Sequence, residues 1–267
     1  MGKLDGKVAF ITGAARGQGR AAALAMAREG ADIACLDICH NLDGVLYDLS
    51  TKEDMEKTLA EITALGRKAL AFYGDVRNYA EIKTAVDETI GALGKIDIMV
   101  NDAGIAGLGA AHELPEEEWD VMLDINLKGV WLGCKAVLPH MIGRQSGNII
   151  SYASVAGVKG LPFAVHYSCA KWGVIALTKT LAQELAPYKI RVNCIGPGTC
   201  DTGMVGGLAE IMGVDHAEAA DELSSGHLIS KIIPPEATAA AALWLASDDS
   251  QYVTGHNLMV DSGWSAT

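Results

Sequence analysis

The segment that most limits the folds open to this chain is Thr12-Gly-Ala-Ala-Arg-Gly-Gln-Gly19. It follows a short apolar run, Val8–Thr12, that reads as a strand, and it opens a longer run, Gly17–Glu29, with helical periodicity. Gly13, Gly17 and Gly19 allow a tight turn and a close backbone approach to a ligand. The helix that follows offers its positive end to a pyrophosphate. Arg16 and Gln18 stand in the same turn as candidate cofactor contacts. The G-x-x-x-G-x-G spacing differs from the G-x-G-x-x-G of long-chain dehydrogenases, but the same physics applies.

The pattern then repeats. Asp32–Asp37, Ala69–Tyr73, Ile96–Val100, Asn148–Tyr152, Arg191–Ile195 and Leu258–Val260 read as strands. Between them, Thr51–Leu65, Tyr79–Leu93, Glu116–Ile142, Tyr167–Leu185 and Glu236–Ala246 read as helices, with Ser50-Thr-Lys-Glu53 as a capping box. Strict β-α alternation predicts a Rossmann-type, doubly wound α/β sheet of about seven parallel strands. No linker or repeat interrupts it, so residues 1–267 are expected to form a single domain.

Two segments exceed a minimal unit of this kind. Ile38–Leu49 is a long connection after the second strand, and Gly203–Lys231 is a glycine-punctuated insertion. Long connections in compact domains are commonly functional, so the second is expected to be a substrate lid hinged at Gly203, Gly206 and Gly207. Its Met204, Val205, Leu208, Ile211, Met212, Leu228 and Ile229 suggest a hydrophobic substrate.

A formal net charge of −12 disfavours nucleic acid and anionic membrane surfaces as partners. No stretch approaches the ~18 apolar residues of a membrane span, and the first residues lack a signal-peptide core. The six cysteines show no C-x-x-C spacing and no matching His/Cys pair, so no metal site is expected. They read as reduced core residues of a cytoplasmic protein.

Asp37 ends the second strand, where an acidic residue can accept hydrogen bonds from the adenosine ribose hydroxyls. It would repel a 2′-phosphate by about 4 kcal/mol per unit charge at ~4 Å and an effective dielectric of ~20. Arg16 pulls the other way, as a guanidinium that could pair with that phosphate, or it is simply solvated. Asp37 sits where the hydroxyls must be, so NAD is expected over NADP.

Tyr167 and Lys171 stand at i and i+4, with Ser154 thirteen residues before the tyrosine. On a helix the pair shares a face, and a neighbouring ammonium should lower the phenol from its usual pKa of ~10. Asn126 interrupts a helical pattern, which points to a special backbone role. His166 cannot share the face of Tyr167, and His112, His216 and His227 read as solvated loop residues. Trp119 and Trp131 read as packing residues. The run Tyr167–Leu185 is apolar nearly all round, which calls for burial against the sheet and a second subunit.

These motifs, with Gly74-Asp75-Val76, Asn101-Asp102-Ala103-Gly104, Pro197-Gly198…Thr202 and Val253-Thr254-Gly255 leading to Val260-Asp261, stand in an order and spacing that resembles the short-chain dehydrogenase/reductase family. The resemblance implies a hydride transfer between a nicotinamide cofactor and a secondary alcohol or ketone. Tyr167 would be the acid/base, Lys171 would bind the nicotinamide ribose, Ser154 would hold the substrate oxygen, and Asn126 would support a proton relay to Lys171. Asp75 and Val76 would hold adenine, Asn101 and Gly104 would line the adenosine side, the backbone around Cys200 would hold the carboxamide, and Pro197 and Gly198 would also lie at the cofactor. Thr202 would touch the cofactor. The family pattern has Asn where this chain has Asp102, so one hydrogen bond must be rearranged there.

TGAARGQGR with the long Ile38–Leu49 segment also resembles a subgroup that includes carveol-type dehydrogenases. That likeness implies an alicyclic, terpenoid or steroid small-molecule substrate, and for some members a retained cofactor that passes electrons to a separate carrier. The family resemblance further implies a homotetramer. The rival readings are an NADPH-dependent 3-oxoacyl-carrier reductase, which Asp37 and the acidic charge oppose, and a non-catalytic dinucleotide sensor, which would not need Ser154, Tyr167 and Lys171 together.

Overall fold

A computed structural model describes residues 2–229 and 232–267 of the chain. Seven parallel strands, β1 (Val8–Thr12), β2 (Asp32–Asp37), β3 (Ala69–Tyr73), β4 (Ile98–Asn101), β5 (Gly147–Tyr152), β6 (Ile190–Pro197) and β7 (Asn257–Val260), form one sheet in the order β3-β2-β1-β4-β5-β6-β7. Strand alternation divides the core. Ala9 and Ile11 of β1 and Ile33 and Cys35 of β2 face one apolar layer, while Phe10, Ala34 and Leu36 face the other. The first layer is closed by α1 (Gly17–Arg28), α2 (Lys52–Ala64) and α9 (Pro235–Ala246). The second is closed by α3 (Tyr79–Leu93), α5 (Gly129–Arg144) and α6 (Val165–Leu185). Strand order reverses between β1 and β4, and a crevice opens at the carboxyl ends of the strands there.

Local chemistry moves several boundaries. The capping box of α2 is Thr51 with Asp54, not Ser50 with Glu53: Thr51 Oγ1 accepts from Asp54 N at 3.2 Å and Asp54 Oδ2 accepts from Thr51 N at 2.9 Å. Ser50 is drawn away to Asp37. Strand β4 begins two residues later than its apolar run, because Asp97 uses its carboxylate on Val8 N, Lys95 and Arg144. The single helix expected over Glu116–Ile142 is instead α4 (Glu116–Leu123), a π-helical turn (Asp124–Lys128) and α5.

The insertion after β6 folds into α7 (Gly203–Met212) and α8 (His216–Leu223). These bury Val205, Ala209, Ala219 and Ala220 in a small apolar cluster of their own. Leu228 and Ile229 are exposed, and the last two residues of the expected lid, Ser230 and Lys231, lie outside the described residues. Trp119 and Trp131, read as packing residues, are 37% and 44% exposed, and Trp172 on α6 is 52% exposed. No helix among the described residues is long and apolar enough to cross a membrane, and no cluster of His, Cys, Asp and Glu there could hold a metal ion.

Candidate active site

The glycine turn connects β1 to α1 with Gly13 at φ +69° and Gly17 at φ +62°, a left-handed conformation that suits glycine. A Cβ on Gly13 would stand 2.7 Å from Ala103 N, and one on Gly19 would stand 2.2 Å from Gly13 O. Only bare backbone fits this turn. It forms one wall of a cleft of about 870 Å³, open mouth included, at the switch point of the sheet. Gly13, Arg16, Gly17, Gln18, Asp37, Asp75, Val76, Gly104 and Thr202, all expected at the cofactor, line it. The bare amides of the turn and the acidic end of β2 suit a dinucleotide's pyrophosphate and ribose.

Asp37 is buried, and each of its carboxylate oxygens is already engaged. Oδ2 accepts from Ala15 N at 2.9 Å and Oδ1 accepts from the Ser50 hydroxyl at 2.5 Å. The carboxylate is thereby fixed in the cleft wall with lone pairs to spare for ribose hydroxyls. Arg16 is half-buried in the cleft lining. Its guanidinium donates to Asp48 O at 2.6 Å and lies against Gly203. Asp75 is held by Arg77 through Nε and Nη2, at 2.8 and 2.6 Å.

Other expected residues stand elsewhere. Asn101 points its amide into the sheet, where Nδ2 faces Ser151 Oγ at 3.3 Å and Cys134 Sγ at 3.6 Å. It therefore supports the cleft from behind and does not line it. Pro197, Gly198 and Cys200 follow one another at the end of β6 outside the lining, with Cys200 bridged to Ile233. His227 is not a solvated loop residue: its Nε2 accepts from Thr199 N at 3.0 Å and its ring packs edge-on against Trp264.

At the inner end of the site, Ser154 caps the short 3-10 turn Val155–Gly157, its Oγ accepting from Ala156 N at 3.1 Å. That leaves its hydroxyl proton uncommitted, and the hydroxyl is near enough to Tyr167 to favour the phenolate. Lys171 Nζ donates to Tyr152 O at 2.9 Å and lies 5.5 Å from the centre of the Tyr167 ring. Asn126 occupies the π-helical turn and is fully buried. Its Oδ1 accepts from Ile105 N at 3.3 Å, and its Nδ2 donates to Ile105 O at 3.0 Å. A Cβ on Gly104 would stand 2.7 Å from Asn126 Oδ1 and 3.7 Å from Lys171 Nζ, so both side chains flank that glycine.

The electrostatics correct one expectation. Lys171 does not lower Tyr167 here; burial pushes the phenol up to about 12, with only the nearby Ser154 hydroxyl opposing it. The same burial pulls Lys171 down to about 8. Both groups have lost water, and the ammonium is spent on a backbone carbonyl beside the ring.

The lining also includes Tyr47, which the sequence did not single out, Ser50, read only as a helix cap, and Asp102, read only as a departure from the family pattern. Tyr47 reaches from the Ile38–Leu49 segment across the cleft, where its hydroxyl accepts from Ala106 N at 2.9 Å. A large aromatic residue inside a long polar connection was the available signal. Asp102 stands where an amide was expected, with Oδ2 2.8 Å from where a Cβ on Gly19 would be.

Residues 7–212 match a family model described as short chain dehydrogenase. Relatives include (−)-trans-carveol dehydrogenase of Rhodococcus erythropolis, 37% identical over 273 residues, covering 98% of this chain and 99% of that protein. An NAD-dependent oxidoreductase of Mycobacterium tuberculosis is 40% identical over 266 residues, covering 98% of this chain and 97% of the relative. Among solved structures, carveol dehydrogenase from Mycobacterium avium in complex with NAD has a TM-score of 0.95 at 38% identity, covering 100% of both chains. Likeness along almost the whole length, on a fold whose strand order and glycine turn were established independently, means that the chain belongs to the short-chain dehydrogenase family.

Proposed function

We propose that this protein transfers a hydride between NAD(H) and a secondary alcohol or ketone, with Tyr167 moving the proton. The observation that carries this reading is the position of Lys171, fixed on Tyr152 O between the Tyr167 ring and Gly104 of the dinucleotide cleft wall, with the Ser154 hydroxyl favouring the phenolate. When bound, the oxidised nicotinamide accepts the hydride and adds a positive charge. Gly13, Gly17 and Gly19 would hold the pyrophosphate and Asp37 the ribose. In ketone reduction Tyr167, kept protonated by burial, gives its proton to the substrate oxygen while Ser154 steadies that oxygen. In alcohol oxidation Tyr167 must first be a phenolate, which the Ser154 hydroxyl favours against the burial of the ring. Asn126, braced on Ile105, would support proton delivery along the Gly104 side to Lys171.

The substrate is a hydrophobic, alicyclic alcohol of the terpenoid type, with steroids as the wider class. Helices α7 and α8 act as its lid, and a relative named for carveol supports the same class. Asp37 disfavours an NADPH-dependent 3-oxoacyl-carrier reductase, and a dinucleotide sensor would not require the Ser154–Tyr167–Lys171 group. A second reading is favoured by Tyr47, which bars the cleft from the Ile38–Leu49 side: the cofactor stays bound between turnovers and a separate carrier takes the electrons. The protein is proposed to be a single-domain cytoplasmic homotetramer, the exposed Trp131 and Trp172 supporting subunit contact through α5 and α6.

Reduced-nicotinamide absorbance across a panel of terpenoid, steroid and simple secondary alcohols, with NAD and NADP, tests the proposal. The expected result is NAD-dependent turnover of cyclic terpenoid alcohols. Silence with every alcohol, in protein that purifies without nicotinamide, would exclude it. Silence with tightly held nicotinamide selects the second reading.

A further inference from the structure

His227, near the end of the Gly203–Lys231 insertion, reaches back to the segment that follows β6, where its Nε2 accepts from Thr199 N at 3.0 Å. Other bonds pin the same segment. Gly198 N donates to Val260 O at 3.0 Å, Thr199 Oγ1 to Leu223 O at 2.5 Å, and Ile233 N to Thr199 O at 2.9 Å. A Cβ on Gly198 would stand 2.4 Å from His227 Nε2 and 3.0 Å from Asp261 Cα, so bare backbone is gripped between the imidazole and the residue that follows β7. The parallel bridge of Cys200 with Ile233 uses Thr199 O and Asp201 N, which turns the peptide groups of Cys200 to the opposite side.

His227 is itself held. Its ring packs edge-on against Trp264 at 5.5 Å between centres, and Trp264 O accepts from Lys159 Nζ at 3.3 Å. Lys159 N in turn donates to Val155 O at 2.9 Å, in the turn that Ser154 caps. A brace thus runs from the end of β6 through His227, Trp264 and Lys159 to the turn carrying Ser154. Hydride transfer needs the nicotinamide and the substrate carbon in one mutual geometry, and a small misplacement there is costly. We propose that His227 is a positioning residue for the nicotinamide: it locks the backbone about Cys200 as the carboxamide seat and keeps that seat in register with Ser154. This rests on the NAD-binding reading given above.

Calorimetric titration with NAD and with ADP-ribose, which lacks the nicotinamide, separates the two halves of the cofactor. His227→Leu should weaken NAD binding about tenfold, the scale of one lost hydrogen bond, and leave ADP-ribose within about threefold of normal. His227→Gln should return NAD to within about threefold, because its amide oxygen can accept from Thr199 N–H. Hydrogen exchange in the unsubstituted protein stands even if His227→Leu does not fold: NAD should slow exchange at the Thr199 amide by about tenfold or more, and ADP-ribose should not. Equal weakening of NAD and ADP-ribose in His227→Leu, no rescue by His227→Gln, or Thr199 exchange that is the same with either ligand overturns the inference alone. Absence of NAD binding to the unsubstituted protein overturns the cofactor reading and this inference together.

Discussion

The ring of Tyr47 lies against Gly207 so closely that a Cβ on that glycine would stand 2.3 Å from the ring. The first residue belongs to the segment after β2 and the second to α7, so the cover of the cofactor cleft and the proposed substrate lid are packed as one piece. The Tyr47 hydroxyl ties both to Ala106.

Gly207→Ala should therefore behave unlike an ordinary helix glycine replacement, which gains up to about 1 kcal/mol. The added methyl expels the Tyr47 ring, and NAD dissociation should speed up about tenfold or more in stopped-flow fluorescence. In a Tyr47→Ala background the same change should be nearly silent, a coupling on the order of 1–3 kcal/mol. Additive effects would mean the two elements close independently.

Tyr167→Phe should lower turnover by at least ~100-fold, the scale of general acid–base catalysis, with NAD binding within about threefold of normal. Ser154→Ala should fall in the same range, because it removes the partner of the phenol. Near-normal turnover in Tyr167→Phe would end the assignment.

Asp37→Ser should relax discrimination against NADP, read as the ratio of dissociation constants. It should also lower stability by about 1–3 kcal/mol, since Ala15 N–H and the Ser50 hydroxyl lose their acceptor. Urea melts separate the two effects. An unchanged ratio would mean that Asp37 serves the turn and not the ribose.

Lys171 titrates near 8 in the fold, against ~10.4 in an unfolded chain. Between those values the unfolded chain binds more protons, so the Lys171 contribution to stability rises with pH, by at most about 1.4 kcal/mol per unit. Lys171→Met should remove that rise. Melts from pH 8 to 10 check it, and parallel curves for the two proteins would refute the shift.

If the proposed homotetramer forms through α5 and α6, Trp172→Glu on α6, with Trp131→Glu on α5 as a second variant, should give smaller species in sedimentation velocity. An unchanged sedimentation coefficient in both would place the interface elsewhere.

The alternation of short apolar runs with helical ones was legible because the two periods differ so plainly, and the order of strands followed. Ser154, Tyr167 and Lys171 were legible through spacing alone. Tyr47 was not, because a loop aromatic has no periodic neighbour and its partner Gly207 is remote in sequence. The π-helical turn at Asp124–Lys128 was signalled only by Asn126, because the apolar pattern of Glu116–Ile142 runs on through it. The raised pKa of Tyr167 depends on lost water, which no residue spacing records.

That π-helical turn works as a phase shifter. It closes hydrogen bonds one residue wider than the helices on either side, so α4 and α5 run nearly continuously while their faces are indexed separately. Asn126 can aim at Ile105 without dragging Trp119 or Trp131 out of register with its own surroundings. Tightening this turn to a regular helix with every residue kept would rotate everything on one side of it by about 100°. The chain can thus carry an unfavourable helical turn because the alternative misdirects two helices at once.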